Sequence, residues 1–167
     1  GVMQNDCFLN PAHALHLCHR FLSVMVALEQ HGLAHTDIAS GNVLVDPDRL
    51  NVELIDLEEM CGPGFPEPAQ RNVGSMGYTH PSVKAQGVGL WSPDCDRFAG
   101  VVLAAEILLL SCPDLARRAD RGGGFFIDSS FGQSTSEYHA ACAYLRQVAP
   151  RFESMFAVGV DEMSWDD

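Results

Sequence analysis

Only one lysine, Lys84, occurs in the 167 residues, and lysine and arginine together number 10 against 22 acidic residues, a net charge of −12. Phosphate backbones and anionic membrane surfaces are bound by clustered cations, which this chain lacks. We therefore expect no nucleic-acid partner and no membrane partner. Long hydrophobic runs are also missing. The longest, Phe98 to Leu110, has 13 residues and contains Glu106, short of the ~20 apolar residues that cross a bilayer. Six cysteines, at 7, 18, 61, 95, 112 and 142, include no Cys-x-x-Cys pair and no metal-ligand spacing. Most sit among apolar neighbours and read as buried free thiols. No signal peptide is visible, so the expected setting is cytoplasmic and reducing. The chain starts at Gly1 rather than Met, which suggests a fragment of a longer protein.

What is present suits one domain with a sizeable core, since 47% of residues are hydrophobic. Asn10-Pro11 predicts a helix start, with Asn10 as cap and Pro11 in the first turn. Leu15, Cys18, Leu22, Met25, Val26 and Leu28 recur at helical spacing through Gln30, and Gly32 fits the stop. Val43-Leu44-Val45 predicts a short strand. Asp46-Pro47-Asp48 turns it, and Val52 to Ile55 returns as its partner. Residues 60–93 are rich in proline and glycine and read as a long irregular segment, a form that is usually functional in compact domains. Asp96 to Leu110 predicts a helix apolar around most of its circumference, hence central and buried, and Cys112-Pro113 ends it. Arg121 to Gly124 reads as flexible. Ser136 to Val148 and Pro150 to Val158 predict two further helices, and the acidic end, Asp161 to Asp167, a solvated tail.

The chemistry concentrates in His35-Thr36-Asp37-Ile38-Ala39-Ser40-Gly41-Asn42 and in Leu54-Ile55-Asp56-Leu57-Glu58. Asp37 and Asn42 lie five residues apart in a loop leading into a strand. Asp56 follows 19 residues after Asp37, at the end of the next strand. Phosphoryl transfer needs a held Mg²⁺, a group that orients the attacking hydroxyl, and exclusion of water. Asp37 is the candidate for the hydroxyl. Asn42 and Asp56 are candidate hard-oxygen ligands for Mg²⁺, and an amide beside a carboxylate limits repulsion around nucleotide phosphates.

These segments resemble the C-terminal lobe of the eukaryotic-like protein kinase family, in a divergent bacterial style. His35-Thr36-Asp37 and Asn42 resemble its His-Arg-Asp-x4-Asn catalytic loop (35–42), and Asp56-Leu57-Glu58 its Asp-Phe-Gly metal loop (56–58). Gly74-Ser75-Met76-Gly77-Tyr78-Thr79-His80-Pro81-Ser82 resembles the end of an activation segment (56–82). Trp91 to Leu110, with Asp96-Arg97-Phe98-Ala99-Gly100, resembles the entry to the family's central helix (96–110). The likeness covers about residues 11 to 110. It implies a mainly α-helical lobe with a small β-hairpin, as one partial domain over residues 1–167. It also implies ATP and Mg²⁺ as cofactors and a protein Ser/Thr acceptor, with Asp37 and Asn42 catalytic and Asn42 and Asp56 on the metal and nucleotide. His35 and Asp96 would be structural supports, Asp96 by bonding to the catalytic-loop backbone.

Several positions depart from the family pattern. Thr36 replaces the arginine that docks a phosphorylated activation loop. Ala39 stands where many Ser/Thr kinases carry a phosphate-contacting lysine. Glu58 replaces glycine, and Ser82 the glutamate of a buried ion pair. No glycine-rich loop or strand lysine precedes residue 35, so an N-terminal lobe would have to come from the full-length chain. Two rivals follow: a small-molecule kinase of the aminoglycoside or choline type, which shares the His-x-Asp-x4-Asn loop, and a non-catalytic pseudokinase-like scaffold. At the level of single residues, Asp37 and Asn42 also suit plain loop caps, Asp56 a turn residue and His35 a packed core histidine. His13, His16 and His19, every third residue of one helix, raise a metal reading that no cysteine or carboxylate completes. Thr36, Ser75 and Thr79 are candidate phosphorylation sites.

Overall fold

The computed structural model describes residues 8–117, 125–126 and 135–162. Six α-helices, two single-turn 3-10 helices and one two-stranded antiparallel sheet make up the regular structure among them, so the fold is mainly helical. The glycine run at 121–124 and the last residues, 163–167, lie outside the described residues.

Helix α1, Pro11–Gln30, starts where its chemistry directs. Asn10 Oδ1 accepts the Ala12 N–H at 2.8 Å, and Pro11 occupies a first-turn position that needs no donor. Ala14, Leu17, Cys18 and Phe21, three and four residues apart, form its buried stripe. Burial pushes the Cys18 thiol up to about 12, and the described cysteines are free. The hairpin pairs β1, Val43–Asp46, with β2, Asn51–Leu54, in the register Val43 to Leu54 and Asp46 to Asn51. Asp46 Oδ1 closes its turn by accepting the Asp48 and Arg49 N–H groups at 3.0 and 2.9 Å.

Within the irregular segment the structure contains one element that the sequence reading passed over: α2, Pro81–Gln86. His80 Nδ1 caps it by accepting the Ser82 N–H at 3.2 Å, Pro81 sits at its start, and Gly87 ends it at φ 68°. Six residues between glycines carry too little periodicity to announce a helix. Likewise, Pro113 does more than end the preceding helix: it opens the short helix α4, Pro113–Ala116.

Helix α3, Arg97–Leu109, is the axis of the fold. Every residue from Phe98 to Leu109 is buried, as expected of a helix apolar all round. It packs against α1, against α5, Ser136–Val148, and against α6, Pro150–Glu162. At the far end an aromatic cluster closes the core, with Phe126 to Phe156 at 5.4 Å and Tyr138 to Phe156 at 6.1 Å between ring centroids. At the near end the bidentate pair of Arg97 with Glu29, 2.6 and 3.1 Å, joins the start of α3 to the end of α1. Among the described residues no helix is long and apolar enough to cross a membrane.

Candidate functional site

The loop after α1 is clamped at both ends. Gly32, at φ 71°, turns the chain out of the helix. Ala34 and Cys61 then exchange two backbone hydrogen bonds, 3.0 and 2.9 Å, which tie the loop to the segment after β2. His35 is fully buried, and its Nε2–H donates to the Ile55 carbonyl at 2.8 Å, which assigns the tautomer. Its Nδ1 is buried without a partner. His35 is therefore a fixed strut between the loop and the end of β2, distant in kind from an acid or base.

Asp96 carries the loop from the other side. It stands at the start of α3 but does not cap it. Its carboxylate instead accepts the His35 N–H at 2.5 Å and the Thr36 N–H at 2.9 Å. Burial pushes its carboxyl up, against the pull of those two N–H groups. Thr36 itself has φ 69°, one of three non-glycine residues at positive φ among the described residues. A β-branched residue adopts this region only when its surroundings over-determine it. Here Asp96 holds its N–H, and the Thr36 hydroxyl donates to the Glu59 carbonyl at 2.8 Å. The strained residue directly precedes Asp37.

Asp37 is only half-buried, and its carboxylate is aimed by two neighbours. Asn42 Nδ2 donates to the Asp37 carbonyl at 2.8 Å and to Oδ2 at 3.2 Å. The Ser75 hydroxyl donates to Oδ1 at 2.9 Å. Ile38 and Ala39, both buried, anchor the middle of the loop, and the turn Ser40–Asn42 delivers Asn42 at the start of β1. The hairpin ladder extends one step further, as the Ile55 N–H donates to the Asn42 carbonyl at 3.0 Å. Asp56 follows immediately, exposed, in left-handed conformation at φ 62°, ψ 54°, one that aspartate tolerates. The turn Leu57–Glu59 comes next, with Glu58 and Glu59 exposed.

Of the five sequence-predicted residues, the structure thus connects Asp37 to Asn42 by side chain, Asn42 to the residue before Asp56 by backbone, and His35 to Asp96. Among the described residues no group of three or more His, Cys, Asp or Glu side chains is arranged to hold a metal. His13, His16 and His19 are exposed on α1 and form no such group. The donor set that remains, one amide oxygen and one carboxylate, suits Mg²⁺. That ion takes one or two protein oxygens and fills its shell with water and phosphate. Asn42 turns its nitrogen to Asp37, so its oxygen is the atom that could serve as a ligand.

Two residues were missed as site residues in the sequence. Ser75 stood out only as a phosphorylation candidate. Its placement depends on Gly74, at φ 96°, where a Cβ would lie 2.8 Å from the Thr79 hydroxyl oxygen. Thr79 is itself buried, its hydroxyl within reach of the Val73 and Ser75 carbonyls at 3.0 and 3.1 Å. Glu106 stood out only as the one charge in an apolar run; its carboxylate accepts the Tyr78 hydroxyl at 2.5 Å.

A cleft of about 40 Å³ lies beside Asp37, lined by Thr36, Val73, Tyr78, His80 and Leu90. The larger cavity, about 470 Å³, lies between α1, α3 and α6 and touches this region only at Asp96. Asp37 lines the smaller one. No protein-family model matches the chain, and no curated protein matches it.

Proposed function

We propose that the chain is the catalytic lobe of a protein kinase, transferring the γ-phosphoryl group of ATP to a protein serine or threonine. The observation that carries this reading is the aimed carboxylate of Asp37, with Asn42 on one oxygen and a serine hydroxyl on the other. A carboxylate already engaged by a hydroxyl at 2.9 Å is in hydrogen-bond reach for orienting an acceptor hydroxyl. In the reaction the acceptor oxygen bonds to the γ-phosphorus, the bond from phosphorus to the ADP oxygen breaks, and the hydroxyl proton passes to Asp37. Mg²⁺, when bound, neutralises charge on the phosphates, and Asn42 and Asp56 are the residues that would hold it. Asp37 orients and takes the proton; Asn42 holds Asp37 in place through its Nδ2.

The surface beside these residues supports a further partner. Leu44 is 52% exposed, Leu57 48% and Ile55 38%. Apolar side chains so exposed next to polar ligating groups suit a covering layer, which we assign to an N-terminal lobe supplied by the full-length chain. Asp56→Ala, which removes the second Mg²⁺ ligand, is expected to weaken Mg²⁺-nucleotide binding by at least about tenfold in calorimetry.

Protein, rather than a small molecule, is favoured as acceptor by the segment from Gly74 to Pro81. It is tied to Asp37 through Ser75 and so lines the approach to the carboxylate. The test offers labelled ATP and Mg²⁺ to the longest natural chain containing this segment, with a generic protein, an aminoglycoside and choline as competing acceptors. Label on protein serine or threonine is the expected result. Label confined to a small molecule would overturn the acceptor assignment and keep the transfer chemistry.

A further inference from the structure

Glu106 sits ten positions into the α3 region that starts at Asp96, in a helix otherwise apolar from Phe98 to Leu109, and is only 8% exposed. A buried carboxylate is costly unless donors converge on it. Three do. The Tyr78 hydroxyl donates to Oε2 at 2.5 Å, the Phe126 N–H to Oε1 at 3.2 Å, and the Phe125 N–H also to Oε1. Burial nonetheless pushes the Glu106 carboxyl up.

Tyr78 is where this carboxylate meets the transfer site. On the backbone side, the Tyr78 N–H donates to the Ser75 carbonyl at 3.0 Å, closing the turn from which Ser75 reaches Asp37. Ser75, one of the two groups that aim the Asp37 carboxylate, is therefore one step from Tyr78. Tyr78 in turn is fastened to the most buried helix of the fold through Glu106.

From this geometry we propose that Glu106 is a positioning residue, acting through Tyr78 to hold the Ser75–Tyr78 turn in register with the Asp37 loop. Glu106 touches neither the acceptor nor the nucleotide. Its other two bonds, to the backbone at 125–126, fasten the same anchor to the aromatic cluster around Phe126 and Phe156. The inference rests on the transfer reading for its functional meaning, while the positioning itself is a structural claim with its own readout.

Hydrogen exchange resolved by mass spectrometry tests that claim without any activity. Tyr78→Phe and Glu106→Gln are compared with the unaltered natural chain. Each is expected to speed exchange about tenfold in peptides covering 36–44 and 72–80, while the middle of α3 keeps its protection. Tyr78→Phe removes a single oxygen, so it decides the matter even if Glu106→Gln fails to fold. Unchanged exchange in both peptides, or a rise spread equally over every helix, would overturn the proposal. If the unaltered chain transfers phosphate, Tyr78→Phe should also lower kcat about tenfold with KM for ATP held within about twofold. If the unaltered chain transfers nothing, the kinase reading fails and the exchange data still decide on Glu106.

Discussion

Replacing Asp96 with alanine should be the most damaging single change to this fold outside its apolar core. The carboxylate is 5% exposed and accepts two backbone N–H groups, those of His35 and Thr36. Alanine leaves both without an acceptor, at about 1–3 kcal/mol each. Relief of the buried charge offsets part of that, so a net loss of about 3 kcal/mol is expected, or about 10 °C in melting temperature. The loss is local in its consequence as well. Thr36 at φ 69° stays there because Asp96 and the Glu59 carbonyl hold it. Freed, it relaxes toward ordinary backbone and carries Asp37 with it. Asp96→Asn keeps one acceptor oxygen and should lose roughly half as much, about 1–2 kcal/mol. The pH dependence has a definite sign. Burial makes the folded Asp96 hold its proton more tightly than the unfolded chain does. That contribution to stability is present below the ordinary carboxylate value, about 4, and is lost as pH rises through the raised value. Denaturant melts across mildly acidic pH should show this fall, and Asp96→Asn should flatten it in part. Glu106, raised by the same cause, retains its share.

The largest functional effect is expected at Asp37. Asp37→Ala removes the carboxylate proposed to orient the acceptor hydroxyl, and proton transfer by a positioned side chain contributes typically about 10²–10⁴-fold to rate. A fall of about 10³ in kcat is expected, with nucleotide affinity nearly unchanged, since Asn42 and Asp56 remain. The fold should tolerate the change. Asn42 Nδ2 keeps its bond to the residue-37 carbonyl at 2.8 Å, and the Ser75 hydroxyl, only partly buried, can turn to water. Ser75→Ala separates aiming from chemistry. It removes one of the two groups on the carboxylate and should cost far less than loss of the carboxylate itself.

Much of this was legible in the sequence because it rests on short-range rules. Asn10-Pro11 starts α1, Asp46-Pro47-Asp48 turns the hairpin, and the apolar run from Phe98 reads as a buried helix. The loop bearing Asp37 and Asn42 and the strand end bearing Asp56 lie on elements whose patterns are strong. The hairpin then brings the two together through the Asn42 to Ile55 hydrogen bond. What stayed hidden depends on contacts between distant positions. Ser75 meets Asp37 across 38 residues, and Tyr78 meets Glu106 across 28. No periodicity links such pairs. Their residue types, a serine beside a glycine and a lone glutamate in an apolar run, were visible, but the partner of each was not. Helix α2 escaped for a different reason: between Pro81 and Gly87 it is too short for its period to show.

Whether this site moves phosphate is tested most directly by Mg²⁺-dependent transfer of the labelled γ-phosphate of ATP. The assay uses the longest natural chain containing the segment, run beside Asp37→Ala and beside a chelator control. Labelled protein is expected with the unaltered chain, loss of label on removing Mg²⁺, and a drop of about 10³ with Asp37→Ala. Transfer that survives Asp37→Ala at full rate, or no transfer from a folded chain that binds Mg²⁺-ATP, would contradict the kinase reading.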